Sequence, residues 1–107
     1  MIVELKEYFP KEGCFDALAE RFQRHTLRIF KKLEIECMGA WVSGEDAQRS
    51  LVYLTRFHDE EDMRQKWRAF SEEAEWLEIK KESERPSGPL MASQTSRILL
   101  GLQADDA

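Results

Sequence analysis

Two apolar β runs stand back to back in the middle of the chain, residues 35–43 and 50–57, and a helical stripe flanks the pair on each side. No other feature constrains the fold as much. Six polar residues, 44–49, join the two runs and predict a long-looped hairpin. Upstream, Phe15, Leu18, Phe22, Ile29 and Leu33 are spaced 3, 4, 7 and 4 and predict a helix over 14–33, with His25 filling the gap in the stripe. Downstream, Met63, Trp67, Phe70, Ala74 and Leu77 repeat at spacings 4, 3, 4 and 3. Asp59 is placed to cap this second helix, and Glu60, Glu61 and Asp62 fall in its first turn, where the helix dipole favours them. The helix runs on, or breaks and restarts near Glu73, as far as Arg85, before Pro86-Ser87-Gly88-Pro89 ends it. Further β runs at residues 2–8 and 91–100 close the pattern at both ends.

The order is therefore βαββαβ, the α+β ferredoxin-like pattern of a four-stranded antiparallel sheet with both helices on one face. A chain of 107 residues has room for one core. Residues 1–100 are read as the domain and 101–107 as a flexible C-terminal tail with nothing to bury. The residues at 35–43 are mostly apolar on both sides, although helices are available for only one face of the sheet. A second copy of the chain is the simplest cover for the other face, which makes a homodimer the expected assembly. In the first strand Val3, Leu5 and Glu7 alternate with Glu4, Lys6 and Tyr8. The apolar pair is expected to face the helices, carrying Glu7 with it.

Composition removes several classes of function. Lys and Arg number 16 against 21 Asp and Glu, a net charge of −5, and phosphate neutralisation on a nucleic acid needs the opposite balance. No stretch approaches the ~18 apolar residues of a membrane span. The first thirteen residues alternate charge and apolar character, unlike a secretory leader. Two cysteines, Cys14 and Cys37, make no disulfide framework, so the expected setting is the reducing cytoplasm. There is no His-Glu-x-x-His and no Cys-x-x-Cys, and His25 and His58 lie 33 positions apart, so no metal site and no cofactor are expected.

His25 is the sharpest candidate for chemistry. It falls on the axis of an apolar stripe, and an inward imidazole needs a polar partner. Glu7 is the first choice, and a carboxylate beside an imidazole forms an oriented general base. The same pair also serves as a plain tie between helix and sheet. Tyr8, Trp41, Tyr53, Trp67 and Trp76 are large amphipathic side chains of the kind that wall pockets for planar organic ligands. Core packing is the more usual use of such side chains, for Trp67 most of all because it lies within the second stripe. Arg21, Arg24, Arg28 and Lys31 form a basic stripe, and Glu75, Glu78 and Glu82 an acidic one, which are expected to pair across the helices or simply to face water.

Taken in order, several of these pieces resemble the NIPSNAP family of the dimeric α+β barrel superfamily. They are Leu5-Lys6-Glu7-Tyr8 followed by Gly13; Phe22, His25 and Leu27; Gly39-Ala40-Trp41; Leu54 with Phe57; and Arg64, Trp67 and Trp76. The similarity spans about residues 2–100. Glu73-Ala74 stands where the family usually has Asp-Pro before the Glu-Trp pair, and Phe57 where it often has Tyr. The resemblance implies a dimeric α+β barrel and little about activity. Members of the superfamily include cofactor-free monooxygenases, haem-degrading enzymes and lactone isomerases, which use the cleft between sheet and helices. The second helix here has no histidine, the haem ligand which that helix supplies in haem-degrading relatives. The expectation is a homodimer that binds a small apolar organic molecule in that cleft, with cofactor-free monooxygenase- or isomerase-like chemistry on His25 and Glu7. The alternative is a non-catalytic binding or protein-interaction module.

Overall fold

The phase of one central strand decides which side of the sheet holds the core. In the computed structural model, which describes residues 1–102, strand β3 (Ser50–Phe57) buries Leu51, Tyr53, Thr55 and Phe57 under the helices. Strand β1 (Ile2–Pro10) pairs with it antiparallel, setting Ile2 opposite Phe57, Glu4 opposite Thr55, Lys6 opposite Tyr53 and Tyr8 opposite Leu51. The even-numbered residues of β1 therefore face the helices. This reverses the expected phase: Val3, Leu5 and Glu7 point to the opposite face. The reversal is stable because the helix side satisfies Glu4, whose Oε1 accepts the Trp67 indole N–H at 2.6 Å while Oε2 accepts from the Ser96 hydroxyl. Strands β2 (Glu36–Ser43) and β4 (Met91–Leu100) complete an antiparallel sheet in the order β2-β3-β1-β4. The fold is the expected α+β ferredoxin-like one. Gly101 and Leu102 follow β4 outside regular structure, and the rest of the expected tail, 103–107, lies outside the described residues.

The first helical segment forms in three parts: α1 (Phe15–Arg21), one wide π turn over Phe22–Thr26, and α2 (Leu27–Lys32). In the π turn the N–H of Leu27 reaches back five residues to the carbonyl of Phe22. The wider turn rotates the following residues backward about the axis. Thr26 moves onto the buried stripe and His25 off it, so the inward face reads Leu18, Phe22, Thr26, Ile29 and Phe30. The expectation that His25 points at the sheet fails for this reason.

The second segment breaks at Glu73 into α3 (Glu60–Glu72) and α4 (Ala74–Glu84). Asp59 caps α3 as expected, its carboxylate accepting the N–H of Asp62 at 2.8 Å. Glu73 caps α4 in the same way, accepting the N–H of Glu75 at 2.8 Å without a proline at the junction. That backbone hydrogen bond, helped by Lys32 at 3.2 Å, lowers the Glu73 carboxyl below the usual range. The break resets the helical phase. Leu77, expected on the core stripe, is half exposed, and Trp76 turns inward to stack on Phe70 at 4.8 Å.

The core is aromatic. Phe22 and Phe30 pack on Tyr53, with centroids 4.9 and 5.8 Å away, and Trp67 meets Phe30 and Phe57 edge to face. The far side of the sheet has no helix. It presents Val3, Leu5, Phe9, Val52, Leu54 and Leu99, with the Trp41 ring lying over Gly39, where a Cβ would come within 2.8 Å of it. No described helix is long and apolar enough to cross a membrane.

Candidate functional site

Because α3 and α4 bury none of their residues fully, they stand off the β1–β4 half of the sheet and leave a cleft of about 400 Å³ there. Its floor is Lys6 and Tyr8 of β1 with Met91 and Gln94 of β4; its walls are Phe22, Trp67, Phe70 and Trp76. Alternation along β1 delivers Lys6 and Tyr8 to this side together. The aromatic walls come from the π turn (Phe22), from the last turns of α3 (Trp67, Phe70) and, after the break, from the first turn of α4 (Trp76). Without the break at Glu73, Trp76 would leave the cleft.

The polar groups of the cleft are ordered by ion pairs and ring faces. Lys6 Nζ sits 4.7 Å from the centroid of Trp67 and 3.8 Å from Glu4 Oε2. Arg21 is nearly buried, yet its guanidinium reaches the cleft 5.1 Å from the Trp76 ring. Its Nη1 donates to Ser83 Oγ and Glu84 Oε2, each at 3.1 Å, and Lys80 donates to the other Glu84 oxygen at 3.2 Å. Tyr8 and Tyr53 share a 2.6 Å hydrogen bond between their hydroxyls, the rings crossing edge to face. Burial raises both phenols above their usual pKa. For Tyr8 the bond to Tyr53 and the charge of Arg21 oppose the rise, whereas for Tyr53 the neighbouring Tyr8 adds to it. Both stay protonated at neutral pH and serve as hydrogen-bonding groups.

Three of the side chains read from sequence as ligand walls meet here: Tyr8, Trp67 and Trp76. Tyr53 lies directly beneath, wholly buried, against Tyr8 and the cleft wall Phe22. Trp41 is on the far face of the sheet, half exposed. Glu7 and His25 do not meet. Glu7, on that far face, accepts a hydrogen bond from Ser50 Oγ at 2.6 Å. His25 lies in a separate groove of about 470 Å³ beside Glu20, Glu78 and Glu82, its Nδ1 3.4 Å from Arg28. The sheet stands between them, so the expected dyad is not formed. Of the expected cross-helix pairs, Arg28 does bind Glu75. Sequence reasoning missed Arg21, assigning it to a solvated stripe. Its signal was present, since Arg21 follows the buried Leu18 by three residues and so lies on the same side of the helix. Among the described residues no three His, Cys, Asp or Glu side chains converge as metal ligands would.

Comparison with known proteins points one way. The family model described as NIPSNAP matches residues 3–103. Among curated proteins none matches. A NIPSNAP-like domain protein from Burkholderia xenovorans superposes with a TM-score of 0.80 at 21% identity, over 96% of this chain and 86% of that one. A NIPSNAP family protein from Agrobacterium tumefaciens superposes with 0.80 at 16% identity, over 96% and 94%. A monooxygenase from the gene ActVA-Orf6 of Streptomyces coelicolor, solved in complex with nanaomycin D, superposes with 0.60 at 12% identity, over 96% and 88%. At these identities the structural likenesses show a shared fold.

Proposed function

Because the chain belongs to the NIPSNAP family, with neighbours of monooxygenase fold, we propose that it binds a small, largely apolar organic molecule in the cleft between the sheet and α3–α4. One observation carries this reading: a ligand-sized space with aromatic walls has a few ordered polar groups among them, the composition of small-molecule sites. The chemistry in this reading is cofactor-free proton transfer or oxygenation, and Tyr8 is the cleft residue whose hydroxyl is placed to donate to the ligand. The protein acts as a homodimer through the uncovered sheet face. That interface centres on Val3, Leu5, Val52, Leu54 and Trp41 and buries more than ~1,200 Å² in total.

Two experiments test the reading. A neutral planar probe, naphthalene-2-methanol, is expected to raise the melting temperature saturably in the wild type. The effect should disappear in Ser71→Phe, which fills the cleft from an exposed helix position. A probe effect that persists in Ser71→Phe places the ligand elsewhere. Light scattering at micromolar concentration is expected to give the mass of two chains, and Leu54→Arg the mass of one. A single-chain mass in the wild type removes the dimer.

A further inference from the structure

The cleft contains more hydrogen-bond donors than acceptors, and this decides what it can hold. Its carboxylates are already engaged. Glu84 accepts from Arg21 with one oxygen and from Lys80 with the other, and Glu4, at the base of the cleft, accepts from Trp67 and Ser96. Several donors are not used. Among the described residues Lys6 Nζ makes no hydrogen bond, its nearest carboxylate oxygen being 3.8 Å away. Arg21 uses only Nη1, and its Nη2 and Nε find no hydrogen-bond acceptor among the described residues. The tyrosine pair adds a third donor. Tyr53 is 0% exposed and its hydroxyl has Tyr8 as its one partner, so the Tyr53 proton must lie on the Tyr8 oxygen. The Tyr8 proton is then directed away from Tyr53 and into the cleft.

Two cations and a phenol thus present unfilled donors in a space walled by the rings of Phe22, Trp67, Phe70 and Trp76. Donors held by positive charge select an ionised oxygen acceptor over a neutral one. The ring walls select a flat partner, which stacks where a branched aliphatic would leave gaps. We infer that the cleft takes a planar aromatic carboxylate, its ring between Trp67 and Trp76 and its oxygens on Lys6, Arg21 and Tyr8. The inference rests on the reading of the cleft as a ligand site and names the chemical class of that ligand.

The test is calorimetric titration of the intact protein at neutral pH with 2-naphthoate and with its neutral isostere 2-naphthamide. The carboxylate is expected to bind at least about tenfold more tightly, the size of one charge-assisted hydrogen bond. Lys6→Gln and Tyr8→Phe should each reduce that preference, whereas Lys6→Arg should keep it. The variants need not fold for the test to decide, because the wild-type comparison stands alone. Equal affinity for the two probes overturns the inference and leaves the ligand cleft in place. Binding of neither probe overturns both.

Discussion

The two hydroxyls of the Tyr8–Tyr53 pair differ in what surrounds them, so deleting one should cost more than deleting the other. In Tyr53→Phe the lost partner leaves Tyr8 able to meet water in the cleft. The cost is then one net hydrogen bond, about 0.5–1.5 kcal/mol. In Tyr8→Phe the hydroxyl left behind belongs to Tyr53, which is 0% exposed with no other partner among the described residues. An orphaned buried donor carries its whole desolvation penalty, about 1–3 kcal/mol. The double variant removes both hydroxyls and leaves nothing unsatisfied, so it should be no less stable than Tyr8→Phe alone. Urea unfolding at one protein concentration, with unchanged m-values, measures all three. The expected order of destabilisation is Tyr8→Phe above Tyr53→Phe, with the double variant below the sum of the two. Strict additivity, or a larger loss from Tyr53→Phe, would refute the assignment of the Tyr53 proton to the Tyr8 oxygen and with it the donor that Tyr8 offers the cleft.

Other perturbations test the fold around the site. Trp67→Ala should lower stability by about 3–5 kcal/mol, because it opens the Phe30–Phe57–Phe70 cluster and strips Glu4 of its indole donor. Trp76→Ala, which loses chiefly one ring contact and one guanidinium, should cost clearly less by the same denaturant midpoints. Glu73→Ala should lower the melting temperature and the helical circular-dichroism signal, whereas Glu73→Asp keeps a capping carboxylate. At alkaline pH the sign follows from the raised phenols. Above the ordinary tyrosine pKa near ~10 the unfolded chain loses protons that the folded chain retains, so stability falls as pH rises. The fall should be shallower in Tyr53→Phe, measured as urea midpoints between pH 9 and 11.

The element order was legible because each periodicity is local: alternation in 50–57, and the spacing from Met63 to Phe70, need nothing from the rest of the chain. The phase of β1 was not. Val3 and Leu5 look like the buried pair, and only the tertiary contact of Glu4 with Trp67 shows why the charged side faces the helices. His25 was misplaced by one π turn, a change of a single residue per turn that no motif announces. The break at Glu73 was foreseen as an alternative, but its consequence, Trp76 inward and Leu77 outward, required the new helical phase. The aromatic half of the site could be read from Tyr8, Trp67 and Trp76 because amphipathic rings are distinctive. The cationic half could not, since Lys6 and Arg21 look like ordinary surface charge until the helices enclose them.

The indole N–H signals of the three tryptophans give the most direct test of the central claim. Trp67 and Trp76 wall the cleft, whereas Trp41 lies across the sheet on the uncovered face. In a two-dimensional NMR titration with 2-naphthoate, the account predicts that the Trp67 and Trp76 signals shift together and saturably while the Trp41 signal stays in place. A shift confined to Trp41, with Trp67 and Trp76 unmoved, would contradict it.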